Sequence, residues 1–138
     1  MIIYLIGSLR NPEVPIIATK LRAAGHEVFD DWYAAGPNAD DHWRDYEIAR
    51  GHDFPKALNG HAAEHVYDYD RYHLNRADVG VLVLPAGKSG HLELGYLIGK
   101  GKPGYILLDA KGPERFDVMY KFAYGVTFDL DQLITWLK

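Results

Sequence analysis

Residues 79–103 constrain what this chain can fold into more than any other stretch. Val79-Gly-Val-Leu-Val-Leu84 is an unbroken apolar run of strand length, the pattern of a strand buried on both faces of a parallel sheet. Pro85-Ala-Gly-Lys-Ser-Gly90 follows, all turn formers and small or polar residues. Leu92, Tyr96, Leu97 and Lys100 then recur at helical spacing, and Gly101-Lys-Pro103 closes the segment. The pattern predicts a strand, a loop, and a helix with Glu93 in its first turn. In an open α/β sheet such a loop lies at the carboxyl ends of the strands, where ligands bind.

Two readings of Glu93 stand at this point. With Ser89 or Gly90 as N-cap, a first-turn glutamate is held by exposed amides and the helix dipole. The same environment keeps a carboxylate ionised, and Gly87, Gly90 and Gly95 leave room for a ligand to approach. An ionised, accessible carboxylate can attack an electrophilic carbon.

The rest of the chain supplies four more strands. Ile2 to Ile6 reads as the first, ending at Gly7-Ser8-Leu9-Arg10, and Pro12 opens a helix running to about Ala24. Gly25 closes that helix, and His26 to Asp30 is the second strand. No Gly-x-Gly-x-x-Gly occurs here, so a dinucleotide fingerprint is absent. Gly104 to Leu108 is the fourth strand, Glu114 to Tyr124 a helix, and Val126 to Phe128 a fifth strand. Asp129 then caps a terminal helix with Leu130, Leu133, Ile134 and Leu137 at helical spacing.

Strands alternating with helices predict one doubly wound α/β domain over residues 1–138, Rossmann-like or flavodoxin-like. Its five-stranded parallel sheet is expected in the order 2-1-3-4-5. The first and third strands are then neighbours at the switch point. Tyr4, Gly7, Ser8 and Arg10 thereby fall beside Ser89, Gly90 and Glu93, two distant loops meeting in one crevice.

Gly-Ser-Leu-Arg reads either as a tight turn with a solvated Arg10 or as a small anion site of Ser8 hydroxyl, nearby amides and guanidinium. Trp32 and Tyr33, in the loop after the second strand, either cover the rim of the core or stack on a base. Residues 40–76 are polar and aromatic, with His42, His52, His61, His65 and His73. They read as partly exposed helix over the active site or in a subunit interface. His61-Ala-Ala-Glu64-His65 matches an inverted zinc-peptidase pattern, but no third ligand stands out in a segment so rich in histidine. From Val66 the spacing predicts a helix leading into the third strand, with Asp70 and Asp68 on it.

Composition narrows the function classes. The net charge of −4 offers no basic footprint for nucleic acid, and no apolar run nears the roughly 20 residues of a membrane helix. There is no Cys, hence no disulfide framework or thiol chemistry. The N-terminal Met-Ile-Ile-Tyr-Leu-Ile run lacks the basic flank of a signal peptide, so a cytoplasmic location is expected.

Gly-Lys-Ser-Gly-His-Leu-Glu-Leu-Gly-Tyr followed by Gly-Lys-Gly-Lys-Pro resembles the signature of the nucleoside 2-deoxyribosyltransferase family. That family includes deoxynucleoside 5′-monophosphate N-glycosidases. The resemblance spans most of the chain and is weakest between residues 34 and 66. It implies that Glu93 is the nucleophile and that no metal or organic cofactor is needed. It also implies that a helical Asp ahead of an Ala-Asp strand start works on the base or sugar. Asp70 is the best match, with Asp68 as competitor. Tyr4-x-x-Gly-Ser-x-Arg is similar to the opening motif of the monophosphate glycosidases, where Ser and Arg hold the 5′-phosphate. Ser89 and Lys88 extend that anion site, although the loop around Ser89 departs from theirs in length and sequence.

The implied activity is cleavage of the N-glycosidic bond of a 2′-deoxynucleoside or its monophosphate through a deoxyribosyl-Glu93 intermediate. The sugar then passes to another base or to water. The implied partners are a small nucleoside or nucleotide and further copies of the chain, because family pockets are completed by a neighbouring subunit. A non-catalytic nucleotide-binding or sensor domain is the reading from a different class.

Overall fold

A computed structural model describes all 138 residues. Five parallel strands, β1 (Ile2–Ile6), β2 (Glu27–Phe29), β3 (Val79–Val83), β4 (Gly104–Leu107) and β5 (Gly125–Thr127), form one sheet in the order β2-β1-β3-β4-β5. The expected doubly wound α/β architecture is present. Central β3 is buried at every position, as its unbroken apolar run requires. Along β1 the side chains alternate between the two faces of the sheet. Ile3 and Leu5 join the core under α1 (Glu13–Ala23) and α6 (Leu130–Trp136). Tyr4 and Ile6 join the opposite core, with Leu74, Leu94 and Leu97.

That second face carries the helices of interest. α2 (Ala39–Ala49), α3 (Phe54–Leu58) and α4 (His61–Arg76) occupy the polar, His-rich stretch, and α5 (Lys88–Gly99) covers β3 and β4. Buried Glu47 accepts from Arg50 Nη1 at 3.3 Å and lies 3.2 Å from His52 Nδ1. These partners satisfy a carboxylate that would be costly to bury alone, and they pin the turn out of α2. No helix is long and apolar enough to cross a membrane.

Two expectations need correction. The helix expected over Glu114 to Tyr124 is only a 3-10 turn, Val118–Phe122, capped by Asp117. Phe116, Val118, Met119 and Phe122 stay exposed there, so no apolar stripe is buried to sustain a longer helix. The other concerns α5, which starts at Lys88 with Gly87 as N-cap and has no acidic residue in its first turn. Glu93 therefore lies beyond the reach of the capping amides, and the capping reading is lost.

Candidate active site

Gly80 and Gly90 bring α5 close to the sheet. A Cβ on Gly80 would meet Leu97 Cδ1 at 2.4 Å, and one on Gly90 would meet Leu82 Cδ1 at 3.1 Å and Ile6 Cγ2 at 3.2 Å. The space expected at Gly90 for a ligand is filled by this packing, and the residue is buried. Glu93 follows Gly90 by three positions and precedes Leu97 by four, so it shares their sheetward side. Parallel pairing sets Tyr4 of β1 opposite Gly80 of β3, and the Tyr4 hydroxyl donates to Glu93 Oε2 at 2.7 Å.

Burial governs the electrostatics here. It pushes the Glu93 carboxyl up to about 7, with the Tyr4 hydrogen bond pulling the other way and the charge of Asp70 adding to the rise. Burial likewise pushes Asp70 up to about 6. Tyr4 is driven well above the usual phenol range, first by burial and then by the charges of Glu93 and Asp70. The charge of Asp70 is thus felt by both groups. Asp68 is exposed on the other side of α4, and Asp70 is half-buried. A phenol donor, a carboxyl near 7 and a carboxyl near 6 form a unit that holds one negative charge and one transferable proton near neutrality.

Aromatic residues wall the crevice. Phe29 packs 5.1 Å from Tyr4 and stacks on His73 at 3.8 Å, and Tyr69 meets both Phe29 and His73 edge-on. His73 Nδ1 is buried without a hydrogen-bond partner. Sequence reasoning missed this wall, although Tyr69 and His73 flank Asp70 at an i, i+4 spacing that was open to view. Trp32 sits lower, its Nε1 donating to the Leu5 carbonyl at 2.8 Å. Its ring comes near Gly7, where a Cβ would stand 3.7 Å from Trp32 Cη2 and 3.0 Å from Val14 Cγ2. Trp32 seals the base of the first loop, and Tyr33 packs on the core.

The residues read as an anion site make contacts within the chain. Ser8 Oγ accepts from the Arg10 backbone N–H at 3.1 Å. The Arg10 side chain turns to α2, donating to Asp41 Oδ2 at 3.1 Å and to the Pro37 carbonyl at 3.2 Å. Lys88 and Ser89 stand exposed in the first turn of α5. Also unforeseen is His91, whose Nδ1 lies 2.8 Å from the Gly87 carbonyl and Nε2 2.9 Å from the Tyr120 hydroxyl. The carbonyl can only accept, so Nδ1 carries the proton and Nε2 accepts from Tyr120. His61, Glu64 and His65 face solvent on α4, with His61 3.7 Å from Glu64.

No family model and no curated protein matches this sequence. Two solved structures are similar in fold. A 2-deoxyribosyltransferase from the psychrotolerant bacterium Bacillus psychrosaccharolyticus aligns with TM-score 0.63 and 19% identity, over 97% of this chain and 90% of that one. The CMP N-glycosidase BcmB of Clostridium botulinum aligns with TM-score 0.56 and 13% identity, over 99% of this chain and 98% of that one.

Proposed function

We propose that this chain is an enzyme that cleaves the N-glycosidic bond of a 2′-deoxynucleoside or its 5′-monophosphate. The observation that carries the reading is the Tyr4–Glu93 hydrogen bond, 2.7 Å long, with a second, half-buried carboxyl whose charge reaches both groups. Fold similarity to a deoxyribosyltransferase and a CMP N-glycosidase supports it.

Tyr4 holds Oε2, which leaves Oε1 to attack C1′ as the bond from C1′ to the base nitrogen lengthens. The transition state is oxocarbenium-like, and the Glu93 charge stabilises it before the new C1′–O bond forms. Asp70 gives its proton to the departing base, so the base leaves neutral and Asp70 becomes the carboxylate. In the second half, a water or another base attacks C1′, Asp70 takes up the proton and Glu93 is released. The double displacement retains configuration at C1′. Tyr69, at the exposed edge of the aromatic wall, supplies a face for the base, and Gly7, Ser8, Arg10 and Ser89 form the end that receives the 5′ group. The working unit is a homo-oligomer, most simply a two-fold dimer.

The test is incubation with the four deoxynucleosides and their monophosphates, and CMP, followed for free base. Wild type releases base, and Glu93→Gln, which keeps the shape and an acceptor for Tyr4, lowers turnover by at least about a thousandfold, roughly 4 kcal/mol of barrier. A folded Gln variant retaining more than about a tenth of wild-type turnover would rule out the covalent role. Adding a second base separates a transferase, which forms the exchanged nucleoside, from a hydrolase, which forms free sugar. Binding without release of any base leaves the sensor-domain reading in its place.

A further inference from the structure

Arg10 is the one guanidinium in the loop that follows β1, and an acidic residue has already claimed it. Its Nη2 donates to Asp41 Oδ2 at 3.1 Å and its Nε to the Pro37 carbonyl at 3.2 Å. One bidentate edge of the guanidinium is therefore occupied from within the chain. Asp41 stands in the first turn of α2 and is met from the other side by Arg44 at 3.6 Å, while Arg44 also holds Asp45 at 3.0 Å. Arg10 and Asp41 both keep solvent contact, with side chains 65% and 44% exposed. An ion pair that open is weak and exchangeable. Nothing in the loop otherwise ties the Arg10 side chain down.

We infer that Asp41 is a positioning residue that sets specificity, an internal stand-in for a phosphate. It occupies Arg10 and offsets its charge, and so limits how far the site prefers a phosphorylated ligand over a neutral nucleoside. This inference rests on reading Gly7–Arg10 as the end that receives the 5′ group. A phosphate has to displace Asp41 from the guanidinium or share the guanidinium with it. A neutral 5′-hydroxyl meets neither demand. Removing the charge at position 41 therefore acts on the phosphate alone, and only through Arg10.

The experiment measures dissociation constants by calorimetry in the Glu93→Gln background, where the ligands persist. The probes are the four deoxynucleoside 5′-monophosphates and their matching nucleosides. Asp41→Asn, which keeps an acceptor for Arg10 without the charge, should raise the ratio of nucleoside to monophosphate dissociation constants about threefold. Arg10→Ala should weaken the monophosphate about tenfold. In the double variant the Asp41→Asn effect should vanish, since it acts through the guanidinium. If Arg10→Ala weakens the monophosphate but Asp41→Asn leaves the ratio unchanged or lowers it, the role of Asp41 is overturned and the phosphate end stands. An Asp41→Asn effect that persists without Arg10 also overturns it. If Arg10→Ala leaves monophosphate affinity as it was, or no monophosphate binds, the phosphate end falls and the inference falls with it.

Discussion

Glu93 and Asp70 are held near neutrality by the same cause, removal from water, and the pair titrates as a unit. Below about 6 both carboxyls carry protons and no nucleophile exists; above about 7 both are ionised and no proton remains for the base. Between the two values the pair holds one proton, and Glu93, with the higher value, keeps it most of the time. The tautomer with the charge on Glu93, where Tyr4 donates, and the proton on Asp70 is the reactive minority, which peaks in the same window. kcat/KM is therefore expected to be bell-shaped in pH, and Asp70→Asn should lower the maximum and remove the alkaline limb. A wild-type plateau extending above pH 8 would show that Asp70 assists by hydrogen bonding alone. The same shifts have a stability consequence of definite sign. Each carboxyl has a folded value above its unfolded one, so the folded state binds more protons. Stability is greatest below the unfolded values, near 4, and is lost as pH rises toward about 6 for Asp70 and about 7 for Glu93. Glu93→Gln should then be more stable than wild type at pH 8, by on the order of 1–3 kcal/mol, with the gain fading near pH 4. Urea midpoints at the two pH values check it, and an equal difference at both would refute the linkage.

α5 is the element on which the site depends. Leu94 and Leu97 bury against the sheet, and the tip of Leu97 fills the space that Gly80 leaves open. Leu97 is fully buried, and its truncation leaves a cavity between helix and strand. Leu97→Ala should cost about 2–5 kcal/mol, read as a lower urea midpoint with an unchanged slope. A loss under about 1 kcal/mol would mean the neighbours collapse into the gap. Because Glu93 rides on the same helix, the variant should also lower kcat/KM when measured well below its melting point. Tolerance there would place the rigidity of the site elsewhere.

At the scale of the molecule, the sheet is covered unevenly. Tyr46, Ile48, Phe54, Leu58, Val66 and Tyr72 are exposed along α2–α4, and a second exposed apolar group surrounds the 3-10 turn after β4. So many exposed large apolar side chains on two groups of elements fit the homo-oligomer proposed above. A second copy of the chain is the expected partner, so light scattering at micromolar concentration should give at least twice the chain mass. A monomeric mass with full turnover would reject this.

The sequence by itself determined the five strands, their order and the meeting of the first and third loops. Those follow from hydrophobic period, run length and turn chemistry, which are local, and from the topology that parallel strands with helical crossovers must adopt. It also marked Tyr4 and Glu93 as residues of the candidate site, with Asp70 added by the family resemblance. The tertiary structure decided what those residues do to one another. Tyr4 and Glu93 lie 89 positions apart, and no periodicity encodes a hydrogen bond between them; strand register and the seating of α5 create it. Asp68 and Asp70 are alike in sequence and differ only in which side of α4 is buried. Arg10 was legible as a cation, but its pairing with Asp41 depends on where α2 crosses the first loop, in the part of the chain with the least regular pattern. Burial, the largest influence on both carboxyls, is a property of the packed molecule.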